Sequence, residues 1–160
     1  MTDFYDRPPL VVLATGQSNM LGVSAGDGGD IASQPGVWTY ERFTNPGETR
    51  GWKYGFKDQP GFPTGPTGNL FAYHYCARLH RETNRPIILL IEALGGRPVT
   101  QWLPNGKGKP GSAPGEMWAR LDAMRDAALA DPLPFRSDGK SLNQLGLTTA
   151  DILLWHQGEA

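Results

Sequence analysis

Three short segments carry the side chains that could do chemistry. The first is Gly16-Gln17-Ser18-Asn19-Met20, which follows the apolar run Leu10 to Ala14. A buried-type strand that breaks abruptly at Gly-Gln-Ser-Asn reads as a parallel strand turning into a helix. In open α/β sheets such strand ends are where ligands bind. A serine there can expose its hydroxyl beside backbone N–H groups at the positive end of a helix dipole. Ser18 is thus placed as a nucleophile, although a lone Gly-x-Ser at a strand end is more often an ordinary N-cap serine. The second segment, Leu94-Gly95-Gly96-Arg97, follows the run Pro86 to Ala93 and leads on to Trp102. The third, His156-Gln157-Gly158-Glu159, ends the run Ile152 to Trp155. Acyl transfer requires a nucleophile, a base for its proton, and donors aimed at the developing oxyanion. Ser18 has its own backbone N–H as one donor. A glycine such as Gly96 can turn its N–H toward a ligand with no side chain intervening. Gln157 can add an amide donor. Each also has a plain structural role open to it, a turn for Gly95-Gly96 and a strand-end hydrogen bond for Gln157.

Taken in order, Gly-Gln-Ser-Asn-Met, Gly-Gly followed by Trp, and Trp-His-Gln-Gly-Glu resemble the sialate O-acetylesterase-like branch of the SGNH/GDSL hydrolases. The resemblance runs from about Leu10 to Ala160. It implies a flavodoxin-like three-layer α/β/α sandwich on a parallel sheet, and an esterase that removes O-acetyl groups from a carbohydrate. It implies Ser18 as nucleophile, with the Gly96 N–H and the Gln157 side chain completing the oxyanion hole. Gln17 and Asn19 flank the nucleophile, where they are read as bracing the loop and as candidate substrate-binding residues. Arg97, Trp102 and Glu159 are candidate substrate contacts, with Trp102 more suited to the core than Arg97. No cofactor or metal is implied.

One feature of the family pattern is absent. Its acid and base sit in an Asp-x-x-His, and none of His74, His80 and His156 has an Asp three residues before it. His156 adjoins Gln157, so the two side chains leave opposite faces of a strand, which makes His156 a poor base. The chain as given stops at a strand end, without the cover a parallel sheet requires. The expectation is therefore one SGNH-type domain over 1–160 whose final strand and Asp-x-x-His segment are missing. A C-terminal segment or a partner chain would then supply Asp and His. The alternative is a non-catalytic carbohydrate-binding or phage adhesion module on the same shell.

The elements that must position these residues are legible from periodicity. Val37 to Tyr40 reads as a short strand. Asn69 to Arg81 reads as a helix with Leu70, Phe71, Tyr75 and Leu79 as its apolar positions. Glu116 to Ala130 reads as a second helix with Met117, Leu121, Met124 and Ala128 on one stripe, stopped by Pro132 and Pro134. A short helix is expected after Ser18, and a brief turn at Leu142 to Leu147. Arg42 to Gly68 reads as a long loop whose Trp52, Tyr54, Phe56 and Phe62 either form a sugar-stacking wall or pack the loop down.

Composition narrows the classes further. With 160 residues the chain suits one domain. Fifteen basic and 16 acidic residues leave no electrostatic footprint for nucleic acid or an anionic membrane. The single Cys76 excludes an internal disulfide and reads as a core thiol. His74 and His80, six residues apart, do not share a helix face for a metal. Gly26-Asp27-Gly28-Gly29-Asp30 lacks an EF-hand's alternating ligands, and Asn105 to Gly111 lacks the closing Gly-Lys-Ser/Thr of a phosphate loop. No signal peptide or membrane-length apolar run is visible, so a soluble protein is expected, cytoplasmic or virion-associated.

Overall fold

The computed structural model describes residues 7–16, 20, 36–40, 52–54, 71–93, 97–105 and 115–156. The chain forms strand β1 (Leu10–Gly16), β2 (Val37–Tyr40), β3 (Trp52–Tyr54), helix α1 (Phe71–Thr83), β4 (Ile87–Ala93), helix α2 (Glu116–Ala130) and β5 (Ile152–His156). Short 3-10 turns lie at Val99–Trp102 and Asn143–Leu145. The five strands make one sheet in the order β3-β2-β4-β1-β5. β2, β4, β1 and β5 are parallel, and β3 pairs antiparallel with β2 at one edge.

All seven residues of β4 are buried, and so are Val11, Val12 and Ala14 of β1. Strands covered on both faces need apolar residues at consecutive positions, which explains the runs Leu10 to Ala14 and Ile87 to Ile91. Alternation divides them between two cores. Val12, Ala14, Ile87, Leu89 and Ile91 pack with Ala72, Tyr73 and Cys76 of α1. Val11, Ile88 and Leu90 pack with Met124, Ala128 and Leu129 of α2. One helix therefore covers each face, and the molecule is the three-layer α/β/α sandwich expected. Each fully buried Ile or Leu contributes roughly 1.5–3 kcal/mol of transfer free energy.

The helices match expectation in place but not wholly in face. α1 extends two residues past the expected Arg81 and buries Ala72, Tyr73, Cys76 and Ala77 rather than the predicted stripe. Phe71 is 52% exposed, while Tyr75 and Leu79 pack only at the margin; Leu70 lies outside the described residues. The face that packs on β1 and β4 carries the small Ala72, Cys76 and Ala77 around the fully buried ring of Tyr73. α2 buries Met117, Met124 and Ala128 as expected, with Leu121 packed at the rim of its core.

The long loop expected at 42–68 contains a strand. Trp52–Tyr54 pairs with β2, and the Trp52 ring meets Tyr40 edge-on at 4.8 Å. Trp52 thus packs against the domain. Phe56 and Phe62 lie outside the described residues, as does the helix expected after Ser18, apart from a buried Met20. The turn expected at 142–147 is present, closed by Leu147 N–H donating to the Leu142 carbonyl at 3.0 Å with Gly146 at φ 76°. At the start of β5, Asp151 clamps β1. Its N–H donates to the Val11 carbonyl, and its Oδ2 accepts from the Val11 N–H, both at 2.8 Å.

Candidate functional site

The three motif-bearing strands are neighbours. β1 lies between β4 and β5, parallel to both, and Gly16 is in register with Ala93 on one side and His156 on the other. The last residues before Gln17-Ser18, Leu94-Gly95-Gly96 and Gln157 therefore form one row across the carboxyl edge of the sheet. Ligands of open α/β sheets bind at that edge. Gln17, Ser18, Asn19, Gly96, Gln157 and Glu159 themselves lie outside the described residues.

The strand ends are held tightly. Gly16 has φ +139°, and a Cβ on it would overlap the His156 carbonyl oxygen. Only glycine allows this backbone and this approach. One position earlier, Thr15 Oγ1 donates to the Glu92 carbonyl at 2.7 Å within the buried sheet. Glu92, Thr15 and Trp155 are partners in register, so they form a second row directly beneath the first.

The Thr15 row borders a groove of about 210 Å³ on the α2 side, whose lining includes Leu13, Trp102, Trp118, Arg125 and Leu153 as well as Thr15 and Trp155. Trp102 is 4% exposed and meets Trp155 edge-on at 5.7 Å. Its position in the 3-10 turn is stabilised by the start of α2: Gly115 N–H donates to the Leu103 carbonyl at 3.0 Å, and a Cβ on Gly115 would overlap the Gln101 carbonyl. Trp102 is a core residue beneath the edge. Arg97, by contrast, is half-buried at the rim, with Nη1 3.6 Å from Glu116 Oε2.

Charge at this edge comes from a residue that sequence reasoning passed over. Glu92 is 1% exposed, and its Oε1 lies 3.3 Å from Arg120 Nε. The signal was a lone acid in an otherwise apolar strand, Ile-Ile-Leu-Leu-Ile-Glu-Ala. Burying a carboxylate costs several kcal/mol unless it is paired, and Arg120 supplies the partner from α2.

The histidines divide by edge. His80 lies against Gly36 and its Nδ1 meets the Arg85 carbonyl at 2.8 Å, which places it at the amino ends of β2 and β4, opposite the motif edge. His74 is exposed on α1, and His156 is the exposed last residue of β5. Cys76 is buried in the α1 core, and burial pushes its thiol up to about 12. Among the described residues, no group of three or more His, Cys, Asp or Glu side chains could hold a metal ion. No helix among them is long and apolar enough to cross a membrane.

No family model matches the chain. No curated protein matches it either. Among solved structures, a carbohydrate acetylesterase from Xanthomonas citri is similar over 93% of this chain, at 18% identity and a TM-score of 0.48. The chain spans 32% of that protein's length.

Proposed function

We propose that the chain carries the nucleophile and oxyanion hole of an SGNH-type serine esterase that removes O-acetyl groups from a carbohydrate. The observation that carries this reading is the row Ala93, Gly16, His156, which brings the ends of the three motif-bearing strands side by side. In this reading Ser18 Oγ attacks the acetyl carbonyl while a histidine takes its proton. The N–H groups of Ser18 and Gly96 and the amide of Gln157 hold the oxyanion, each donor lowering the barrier by roughly 3–4 kcal/mol. The sugar hydroxyl leaves with a proton, and water then hydrolyses the acetyl-enzyme by the reverse order of transfers. Gln17 and Asn19 brace the nucleophile, and Arg97 and Glu159 face the sugar. The Asp and His come from a C-terminal segment or a partner chain.

A second reading, a non-catalytic carbohydrate-binding or phage adhesion module, is favoured by the placement of the histidines. His80 is at the far edge of the sheet, and neither His74 nor His156 follows an Asp at the family spacing. Hydrolysis of p-nitrophenyl acetate by the chain and by Ser18→Ala separates the two. Turnover lost on substitution supports the esterase, and if the chain alone shows it, the base is already present and need not come from another segment. If both proteins stay at background even when a chain carrying Asp-x-x-His is supplied, the binding module is the better account.

A further inference from the structure

The groove on the α2 side is lined by three tryptophans of unequal exposure. Trp102 is 4% exposed, Trp118 is half-buried, and Trp155 is 46% exposed. β5 presents Trp155 and Leu153 here, in register with Thr15 and Leu13 of β1, and Leu153 is exposed as well. Large apolar side chains left open to water at one groove mark a binding face.

The most buried of the three carries a donor that is not used. Among the described residues, Trp102 Nε1–H has no hydrogen-bond partner. Buried tryptophans ordinarily find an acceptor for this group, and leaving it unmet is costly. The groove is also lined by a charged pair, Asp122 Oδ1 at 2.7 Å from Arg125 Nη2, which lies 2.8 Å from Asp126 Oδ1. The Asp122 and Arg125 side chains are 45% and 42% exposed, and ion pairs so open to water add little stability.

An occupant that satisfies all three features is apolar on one face and carries oxygens around its edge. We propose that the groove is a subsite for a single pyranose ring. The C–H groups of one sugar face stack on the Trp155 indole, a ring or hydroxyl oxygen accepts from Trp102 Nε1–H, and neighbouring hydroxyls bond to Asp122 and Arg125. The groove holds about 210 Å³, less than the roughly 300 Å³ at which pockets for larger ligands begin, so it takes one ring. A purely apolar ligand or protein surface would cover Trp155 and Leu153 but leave the Trp102 N–H unmet. The subsite rests on the carbohydrate reading, which the esterase and the binding module share, and it requires nothing of Ser18.

The test follows the indole N–H resonances of the chain while methyl glycosides of glucose, galactose and xylose, and N-acetylglucosamine, are titrated in. Toluene serves as the apolar control. The expected result is a saturable shift of the Trp102 and Trp155 signals by at least one sugar, with a dissociation constant in the millimolar range that so small a ligand allows. Trp155→Ala and Trp102→Phe should each weaken that binding about tenfold, the first by removing the stacking face and the second by removing the donor. Should Trp102→Phe fail to fold, Trp155→Ala decides, because its side chain is half exposed. Binding indifferent to Trp155→Ala overturns the proposal, and so does toluene moving these signals where no sugar does. Sugar shifts confined to other residues also overturn the subsite, and leave the carbohydrate reading standing. Failure of the esterase reading shows separately, as hydrolysis indifferent to Ser18→Ala while sugar binding at Trp102 and Trp155 stands.

Discussion

Gly16 and His156 approach so closely that a Cβ on Gly16 would overlap the His156 carbonyl oxygen. This contact locks the exit of β1 against the exit of β5, one residue before Gln17-Ser18. Gly16→Ala must both leave φ +139° and push β5 away. Backbone strain alone costs about 1–3 kcal/mol, and the clash with main chain adds to it. A loss of at least about 2 kcal/mol in urea unfolding is expected; an unchanged midpoint would contradict the close approach.

Asp151 holds the other end of the same strand pair. Asp151→Ala leaves the Val11 N–H, in a residue 1% exposed, without its carboxylate acceptor. An unsatisfied buried donor costs about 1–3 kcal/mol. The variant should lose stability in that range, and amide exchange should rise first at Val11 and along β5.

Tyr40 reaches from β2 across the sheet's α2 side to the end of that helix, where its hydroxyl donates to Asp131 Oδ2 at 2.5 Å. Hydrogen bonds to charged groups contribute roughly 1.5–3 kcal/mol. Tyr40→Phe is expected to lower stability by about that much while keeping the ring's contact with Trp52. Equal denaturation midpoints for the two proteins would refute the role given to the hydroxyl.

Cys76 gives a pH dependence. Burial raises its thiol from an ordinary 9.0 to about 12 in the folded chain. The folded state therefore keeps the proton that the unfolded state releases above pH 9. The resulting stability is fully present below pH 9 and is lost as pH rises toward 12. In the folded chain Cys76 should resist thiol reagents at pH 8 and react only after denaturant is added. Rapid labelling without denaturant would disprove its burial.

Much of the architecture was legible because buried parallel strands and amphipathic helices impose their periods locally. The runs Leu10 to Ala14, Ile87 to Ile91 and Ile152 to Trp155 had to be strands, and Pro132 had to follow the end of α2. The candidate site was legible as motifs, since Gly-Gln-Ser-Asn, Gly-Gly-Arg and His-Gln-Gly-Glu each stand at or just past the end of a strand. The residues themselves lie outside the described part, and what the structure adds is the row of strand ends beneath them.

Other features had no local signal. The β3 strand is three residues long, too short for alternation to show, and only its partner β2 makes it a strand. On α1 residue hydrophobicity favours Phe71, whereas the sheet takes the face of Ala72, Tyr73, Cys76 and Ala77, which is set by how the helix lies across β1 and β4 and not by the helix alone. Glu92 shows as an isolated acid in the chain; its partner Arg120 is 28 positions later, and only the crossover from β4 to α2 brings them together. Local composition sufficed for the long strands and the two helices, for the order of the motifs and for the lack of an Asp-x-x-His. The tertiary structure alone decided that β4, β1 and β5 are neighbours in register, because strand order depends on where long connections cross the sheet and not on any strand's own composition.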